Sequence, residues 1–574
     1  RFRQAPDKGL SLPDAMTNNV SPRMTLHISL QAGAATCELA RQFWDKKPDF
    51  TLIMNMIGGH HALSLIHGGL VKKLIFATCA DIYPRPYPNP VIQRAFRNNS
   101  CELENWSMLS LTQAVMAGAL NLPFIPTRSI IGSSLADDNK HAVRMVDDVF
   151  GSGEKIALIK SLCPDISIVH GWAADPMGNV ILPGPPRDAW AAKASRKGII
   201  VCVEKLVGED FIRNHSLLVK IPGCLVNAVC VAPRGAHPQN MSAQSLSGFE
   251  GYGLDYAFLK AFRKATEDAD AYSRWVKEWI LDCPSSEAYL NKLGERPAED
   301  GKDGLKRRTS ANEKKVPATA PADEKEATAP EYAIIGGARI IKDIILARQY
   351  KSMFAGIGLS GLAGWCAYYF LKEQNYHVDL IAAGIGYQPC PGDPLLISAA
   401  NMATAKMISD SLDLHGVGAG GINSRCLGVL GAGQIDKDGN INSTIIRSRK
   451  GDDIYLAGAG GGNDIASLAQ EVVVVAVHRA NRFVEKVRYI TCPGTRVSTL
   501  ATNEGLFVKN DSGFILKGSY PKPGLSEEKD RVNQIAGACS WELHTAPQLE
   551  KMGAPTPEEL KLLRSFDPEG VFLR

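Results

Sequence analysis

Asp175-Pro176-Met177-Gly178-Asn179-Val180 and Asp436-Lys437-Asp438-Gly439-Asn440-Ile441 are the two stretches that decide how this chain folds. Each follows a strand-like run and reads Asp-x-x-Gly-Asn-(Val/Ile), a hairpin-type turn in which Asp closes the turn and Gly accepts a positive φ. One such turn is common, but here it heads an ordered series. Lys193-Ala194-Ser195-Arg196 leads into Gly198-Ile199-Ile200-Val201-Cys202-Val203, just as Ile465-Ala466-Ser467-Leu468 leads into Val472-Val473-Val474-Val475, and Ile221-Pro222-Gly223 then matches Cys492-Pro493-Gly494. A concealed repeat of this kind predicts two copies of one fold.

Between the copies the composition changes. Residues 296–330 are rich in Lys, Glu, Asp, Ala, Thr and Pro, with Leu305 and Val316 as the large apolar side chains. Such a segment cannot bury enough surface to offset its ordering entropy and is expected to be a disordered, charged linker. The expected domains are therefore residues 1–295 and 331–574. Two domains also follow from length, because 574 residues exceed what one hydrophobic core supports. Both halves alternate short apolar strands, glycine turns and amphipathic helices, which argues for α/β layering. In the first, Phe50–Met54, Leu74–Ala77 and Ser167–Val169 read as strands. In the second, Ser352–Ala355, Val378–Ile381 and Val472–Val475 do.

Composition excludes several classes of function. Lys+Arg 64 against Asp+Glu 60 leaves a net charge of +4, spread along the chain, so there is no basic stripe for nucleic acid. Thirteen cysteines include no C-x-x-C pair, and several sit in apolar runs as small hydrophobes, which fits a reducing cytoplasm and no metal site. The first residues hold no apolar signal-peptide core and no run of 18 apolar residues occurs, so neither a secretory signal nor a membrane span is expected.

Three glycine turns could carry chemistry. Gly458-Ala459-Gly460-Gly461-Gly462-Asn463-Asp464 opens an amphipathic stretch and exposes backbone N–H groups suited to a phosphate, carboxylate or oxyanion. It lacks the Gly-Lys-Ser/Thr of a nucleotide-binding P-loop and the downstream acid of a dinucleotide fold, and a plain strand-to-helix turn is an equal reading. Gly356-Ile357-Gly358 follows a strand and precedes a helix, and Ala382-Ala383-Gly384 ends another strand, where α/β sites collect.

On these residues the chain resembles the class I coenzyme A transferases, most closely the glutaconate CoA-transferase type, with its alpha-like and beta-like subunits joined in one chain. In the first half the resemblance rests on Leu122-Pro123-Phe124-Ile125-Pro126-Thr127-Arg128, on Val231-Ala232-Pro233-Arg234-Gly235-Ala236-His237-Pro238, and on 277–294. In the second it rests on Gly431–Asp436, Asn440–Thr444, the glycine loop at 458–464 and Tyr489–Gly494. It implies an α/β fold of two tandem homologous domains packed against each other, the first giving the acyl pocket and the second the glycine loops and CoA contacts. Coenzyme A enters as substrate thioester, with no metal, no nucleic acid and no membrane, and a homodimer of the joined chain is compatible with it.

The resemblance also implies a mechanism. In the family a glutamate in a Glu-(Ser/Asn/Ala)-Gly turn attacks the acyl-CoA thioester and becomes a glutamyl-CoA. The corresponding turn is Ala382-Ala383-Gly384, which keeps the glycine and lacks the carboxylate. Steroid-ring hydrolases of the superfamily also lack that glutamate and use a glutamate of their alpha-like chain as base. An ungapped count puts that position at Met108, with Glu102 and Glu104 beside it. The expected function is an acyl-CoA-processing enzyme that hydrolyses a thioester or C–C bond, or transfers the acyl group to another nucleophile. The alternatives are CoA transfer through another carboxylate, or acyl-CoA binding without catalysis. Candidate catalytic residues are Glu104, His60 and Asp393, and candidate CoA-binding residues are Gly356, Gly358, Gly384, Gly458, Gly460, Gly461, Gly462 and Asn463. A surface pair is an equal reading of His60-His61, and a turn-closing residue the stronger reading of Asp393. His237 and His478 are expected to be structural hydrogen-bonding residues.

Overall fold

The computed structural model describes residues 7–573 apart from 82, 84, 184–187, 242–245, 295–325, 383–385, 391–398, 449, 523, 526 and 569. Contacts divide the chain into two compact units. The first is Arg1–Thr127, His141–Val149 and Leu158–Gly304; the second is Arg128–Lys140, Phe150–Ala157 and Leu305–Arg574. Most of the segment expected to be a linker lies outside the described residues. Its end does not behave as linker: Thr328 caps a helix over Ala329–Arg348, exchanging hydrogen bonds with Glu331, and Pro330 sits in the first turn where its missing N–H costs nothing.

The first unit is built on strands β1 (Thr25–Ile28), β2 (Phe50–Met56), β3 (Val71–Thr78), β4 (Glu102–Asn105), β5 (Ile166–Ala174), β6 (Ile199–Leu206) and β7 (Val226–Val231). They pair in parallel in the order β7-β6-β5-β1-β2-β3-β4. The all-buried run of β5 is what a parallel strand covered on both faces requires.

The second unit repeats the plan. Strands β8 (Ser352–Ala355), β9 (Asp379–Ala382), β10 (Cys426–Leu430), β11 (Glu471–Val475) and β12 (Val497–Ala501) pair in parallel in the order β9-β8-β10-β11-β12. An antiparallel extension, Gly505–Asn510 with Gly513–Ser519, continues beyond β12. Alternation along β11 fills both faces: Val473 and Val475 pack with Ile334, Ile335 and Ala363, whereas Val472 and Val474 pack with Phe354, Ile465 and Phe507.

The two diagnostic turns share their central bonds. Asp175 Oδ1 accepts the Asn179 N–H at 2.9 Å, and Asp436 Oδ1 accepts the Asn440 N–H at 2.9 Å. The asparagines then reach forward: Asn179 Oδ1 accepts from Gly223 N–H at 3.0 Å, and Asn440 Oδ1 from Gly494 N–H at 2.9 Å. Gly178 and Gly439 hold φ of 90° and 84°, the left-handed region that the turn demands of its third step. The matched prolyl-glycines each begin a single 3-10 turn leading into β7 or β12.

Candidate active site

Helix Gly462–Leu468 feeds the parallel strand β11, so the loop before it lies on the carboxyl edge of the sheet, the edge on which β8 and β9 also end. In this loop Gly458 and Gly460 hold φ of 82° and 51°. At Gly461 a Cβ would overlap His415 Nε2, and that buried imidazole in turn packs on Phe354 with ring centroids 4.8 Å apart. A glycine is therefore required for close approach. Among the described residues the N–H groups of Gly460 and Gly461 find no acceptor, and both glycines are partly open to solvent. Two such donors in a half-buried loop suit a carbonyl oxygen that gains negative charge.

Asn463, a candidate ligand contact, is fully buried. Its Oδ1 accepts from the Ile130 N–H at 3.0 Å and from Ser129 Oγ at 3.3 Å, while its Nδ2 donates to the Thr491 carbonyl at 2.7 Å. Asp464 accepts from Ser129 Oγ at 2.6 Å. Ile130 sits at φ 62°, a conformation that β-branched residues avoid, and is buried. Residues 128–140 thus leave the first half of the sequence to brace the glycine loop of the second unit. Ser134 adds two bonds of 2.9 Å with Ile490, and Tyr489 donates to Asp138 Oδ2 at 2.7 Å. Ser129, Ile130 and His415 were not singled out from the sequence; the unusual Ile conformation and the cross-chain bonds leave no local signature.

Gly356 donates its N–H to the Val429 carbonyl at 2.9 Å, and Gly358 holds φ 73° before the helix Leu359–Glu373. Ala382 ends β9, buried, opposite Ala355 of β8. Gly384 and Asp393 lie outside the described residues.

In the first unit Glu104 is buried near the end of β4. It accepts from Trp106 Nε1 at 2.8 Å and pairs with Lys73 Nζ at 2.5 Å and His141 Nε2 at 3.1 Å. His141 is half exposed, so this carboxylate meets solvent through an imidazole. His60 is fully buried, its Nδ1 accepting from the Ala62 N–H at 2.9 Å, and burial pushes its pKa down to about 4. His60 and Glu104 are not bonded to each other. His61, its neighbour, lines a cleft with Arg234 and Tyr289. His237 bonds Tyr289 and Asp255, and His478 stands against Phe483 and Phe507. Asp81, beyond β3, is buried against Arg263 and Asn89. Burial raises its pKa to about 6 against the pull of those partners. Among the described residues no three His, Cys, Asp or Glu side chains gather as metal ligands, and no helix is long and apolar enough to cross a membrane.

The two units share one α/β plan, and in the second a glycine loop with open backbone donors stands on the carboxyl edge of the sheet. The coenzyme A transferase family model matches residues 10–232 and 393–506, and the chain belongs to that family. Both polypeptides of glutaconate CoA-transferase from Acidaminococcus fermentans are similar to parts of this single chain. One is 31% identical over 280 residues, 46% of this chain and 82% of the relative. The other is 35% identical over 170 residues, 26% of this chain and 60% of the relative. A cholesterol ring-cleaving hydrolase polypeptide from Mycobacterium tuberculosis is 24% identical over 287 residues, covering 48% of this chain and 94% of the relative. An acyl-CoA transferase from Escherichia coli O157:H7, solved as a thioester complex with CoA, shares the fold: TM-score 0.64 at 16% identity, over 98% of this chain and 96% of that one.

Proposed function

We propose that this chain binds an acyl-CoA thioester and lets water attack it, or a C–C bond beside it, without forming a glutamyl-CoA intermediate. What supports the reading is a glycine loop with open backbone donors together with an alanine where the resemblance implies the family's nucleophile. Gly460 and Gly461 hold two open N–H donors, while Ala382, where the resemblance puts the attacking glutamate, has only a methyl group. Polarising a carbonyl needs the donors alone, whereas exchange through an enzyme thioester needs a carboxylate. The similarity to a ring-cleaving hydrolase supports the same direction. Glu104 is the carboxylate proposed to take the proton from water; it pairs with Lys73 and His141. His60, enclosed on all sides, has no part in this reading.

Incubating the full chain with a panel of acyl-CoA thioesters tests it. Either CoA thiol or a hydrolysed, ring- or chain-cleaved acyl-CoA seen by mass spectrometry is expected to appear without any acceptor carboxylate, and borohydride or hydroxylamine is expected to trap no enzyme-bound thioester. A trapped adduct would establish transfer through another carboxylate, and absence of both products across the panel would leave binding without catalysis.

A further inference from the structure

Past the carboxyl end of β11, Arg479 and Arg482 flank one tight turn, and neither has a part in the thioester chemistry proposed above. The Arg479 carbonyl closes the turn by accepting the N–H groups of Arg482 at 2.9 Å and Phe483 at 3.2 Å. Such a turn brings its first and fourth residues within about 7 Å of each other. The backbone is held from outside as well. The Arg482 carbonyl accepts from the Ile435 N–H at 2.8 Å, the Ile435 carbonyl accepts from the Val484 N–H at 3.0 Å, and Gln434 Nε2 donates to the Asn481 carbonyl at 3.2 Å. Phe483, fully buried against His478 and Trp541, anchors the chain directly after Arg482. Both arginine side chains therefore leave from a fixed base.

Their charges are unmet. Arg482 is half-buried, Arg479 is exposed, and neither forms an ion pair among the described residues. The Arg482 guanidinium makes one contact there, Nη1 to the Val477 carbonyl at 3.5 Å, the outer limit of a hydrogen bond. Glu471, Glu485 and Glu504, the glutamates before and after the turn, are taken by Arg348, Lys437 and Arg531 at 3.1, 2.8 and 2.7 Å. Burial and the neighbouring charge of Arg479 pull the Arg482 pKa below its ordinary value, and no acid opposes them. A half-buried cation beside a like charge carries a cost that a bound anion removes.

We propose that Arg479 and Arg482 together seat a phosphate group, whose oxygens accept from both guanidiniums. The planar fork of an arginine matches phosphate bidentately. The phosphate can be free or can belong to the coenzyme, and only the second source rests on the thioester reading. Coenzyme A carries a 5′-diphosphate and a 3′-phosphate, dephospho-CoA lacks the 3′ group, and pantetheine has the same thiol arm with no phosphate. The turn and the glycine loop at 458–461 share the carboxyl edge of one sheet, which favours the coenzyme.

Calorimetric titration of the full chain with inorganic diphosphate, CoA, dephospho-CoA and pantetheine tests it. CoA is expected to bind about tenfold or more tightly than pantetheine, and Arg482→Gln to remove about tenfold or more of the CoA affinity while pantetheine is unchanged. Arg479→Gln, at an exposed side chain that bonds nothing among the described residues, is expected to act in the same direction and decides the matter if Arg482→Gln does not fold. A loss seen with CoA and absent with dephospho-CoA would put the 3′-phosphate in the seat; equal losses would put the diphosphate there. Diphosphate binding that depends on these arginines, with no binding of CoA, would keep the phosphate seat and sink the thioester reading. Diphosphate and CoA titrations that neither variant changes, a pantetheine loss as large as the CoA loss, or binding of neither phosphate probe would each overturn the proposal.

Discussion

Replacing Asn463 by alanine tests whether the glycine loop is held by its brace. The side chain is fully buried and joins three groups: the Ile130 N–H, Ser129 Oγ and the Thr491 carbonyl. Ser129 keeps its bond to Asp464, so two buried backbone groups are orphaned. At about 1–3 kcal/mol for each unsatisfied group the cost is about 2–6 kcal/mol. Ile130 adds to the effect, because a β-branched residue at φ 62° stores about 1–3 kcal/mol that only its surroundings hold in place. The loss should appear locally, as opening of residues 128–140 away from the loop, before the sheet is affected. Amide hydrogen exchange on the full chain reads it directly. Even the lower figure of about 2 kcal/mol corresponds to exchange about 30-fold faster in 128–140. Strand β10 is expected to keep its protection. Unchanged exchange at 128–140 in Asn463→Ala would show that the segment is held by other contacts, and would remove the structural role given to Asn463.

Gly461→Ala drives a methyl group into His415 Nε2, so the loop must shift, and CoA release from thioesters is expected to fall at least tenfold; unchanged turnover would separate the loop from the chemistry. Gly223→Ala and Gly494→Ala push a Cβ into the carbonyls of Met177 and Asp438 respectively, and overpacking of this kind costs about 1–3 kcal/mol. Because the two turns are bonded alike, their losses in chemical denaturation should agree to within about 1 kcal/mol; a larger difference would break the equivalence. Asp81 has a folded pKa of about 6 against an ordinary 3.8, so folding takes up a proton. Its contribution is complete below pH 3.8 and is lost as pH rises through 6, by about 3 kcal/mol in all. Asp81→Asn should flatten the stability curve between pH 4 and 6, and an unchanged slope there would refute the assignment.

The repeat was legible because turn chemistry is local: an aspartate, a glycine and an asparagine at fixed spacing set the same hydrogen bonds in both copies. The apolar strands were legible for the same reason, Ser352–Ala355 to the residue and Phe50–Met54 short of its observed end at Met56. Strand β1 escaped notice because it has four residues and includes His27, whose burial depends on Ser167 and Asp188 far along the chain. Nothing near Arg128 announces that residues 128–140 join the second unit, since the bonds that hold them span more than 300 positions. The same holds for His61 and Tyr289. Sequence suggested an imidazole base at 60 or 61, but both rings are buried, His61 among Phe258, Phe262 and Trp275, which lie about 200 positions further along the chain.

Ala382 connects fold and chemistry most directly. It is 3% exposed, pairs in register with Ala355 on one side and Gly386 on the other, and packs in the core with Ala355 and Leu380, so any larger side chain there starts from a buried position. A carboxylate at such a place is desolvated, and without a cation it costs several kcal/mol. Alanine carries no such cost. Ala382→Glu should incur it. The midpoint of chemical denaturation is expected to fall, by about 2–4 kcal/mol on the scale of buried unpaired charges. If the resemblance aligns this turn correctly, acyl-CoA should then leave a borohydride-trappable thioester that the unaltered chain does not form. A folded, destabilised Ala382→Glu that traps nothing would mean that the glycine loop and this turn no longer face one bound thioester, and that the frame was kept for its stability and not for the reaction.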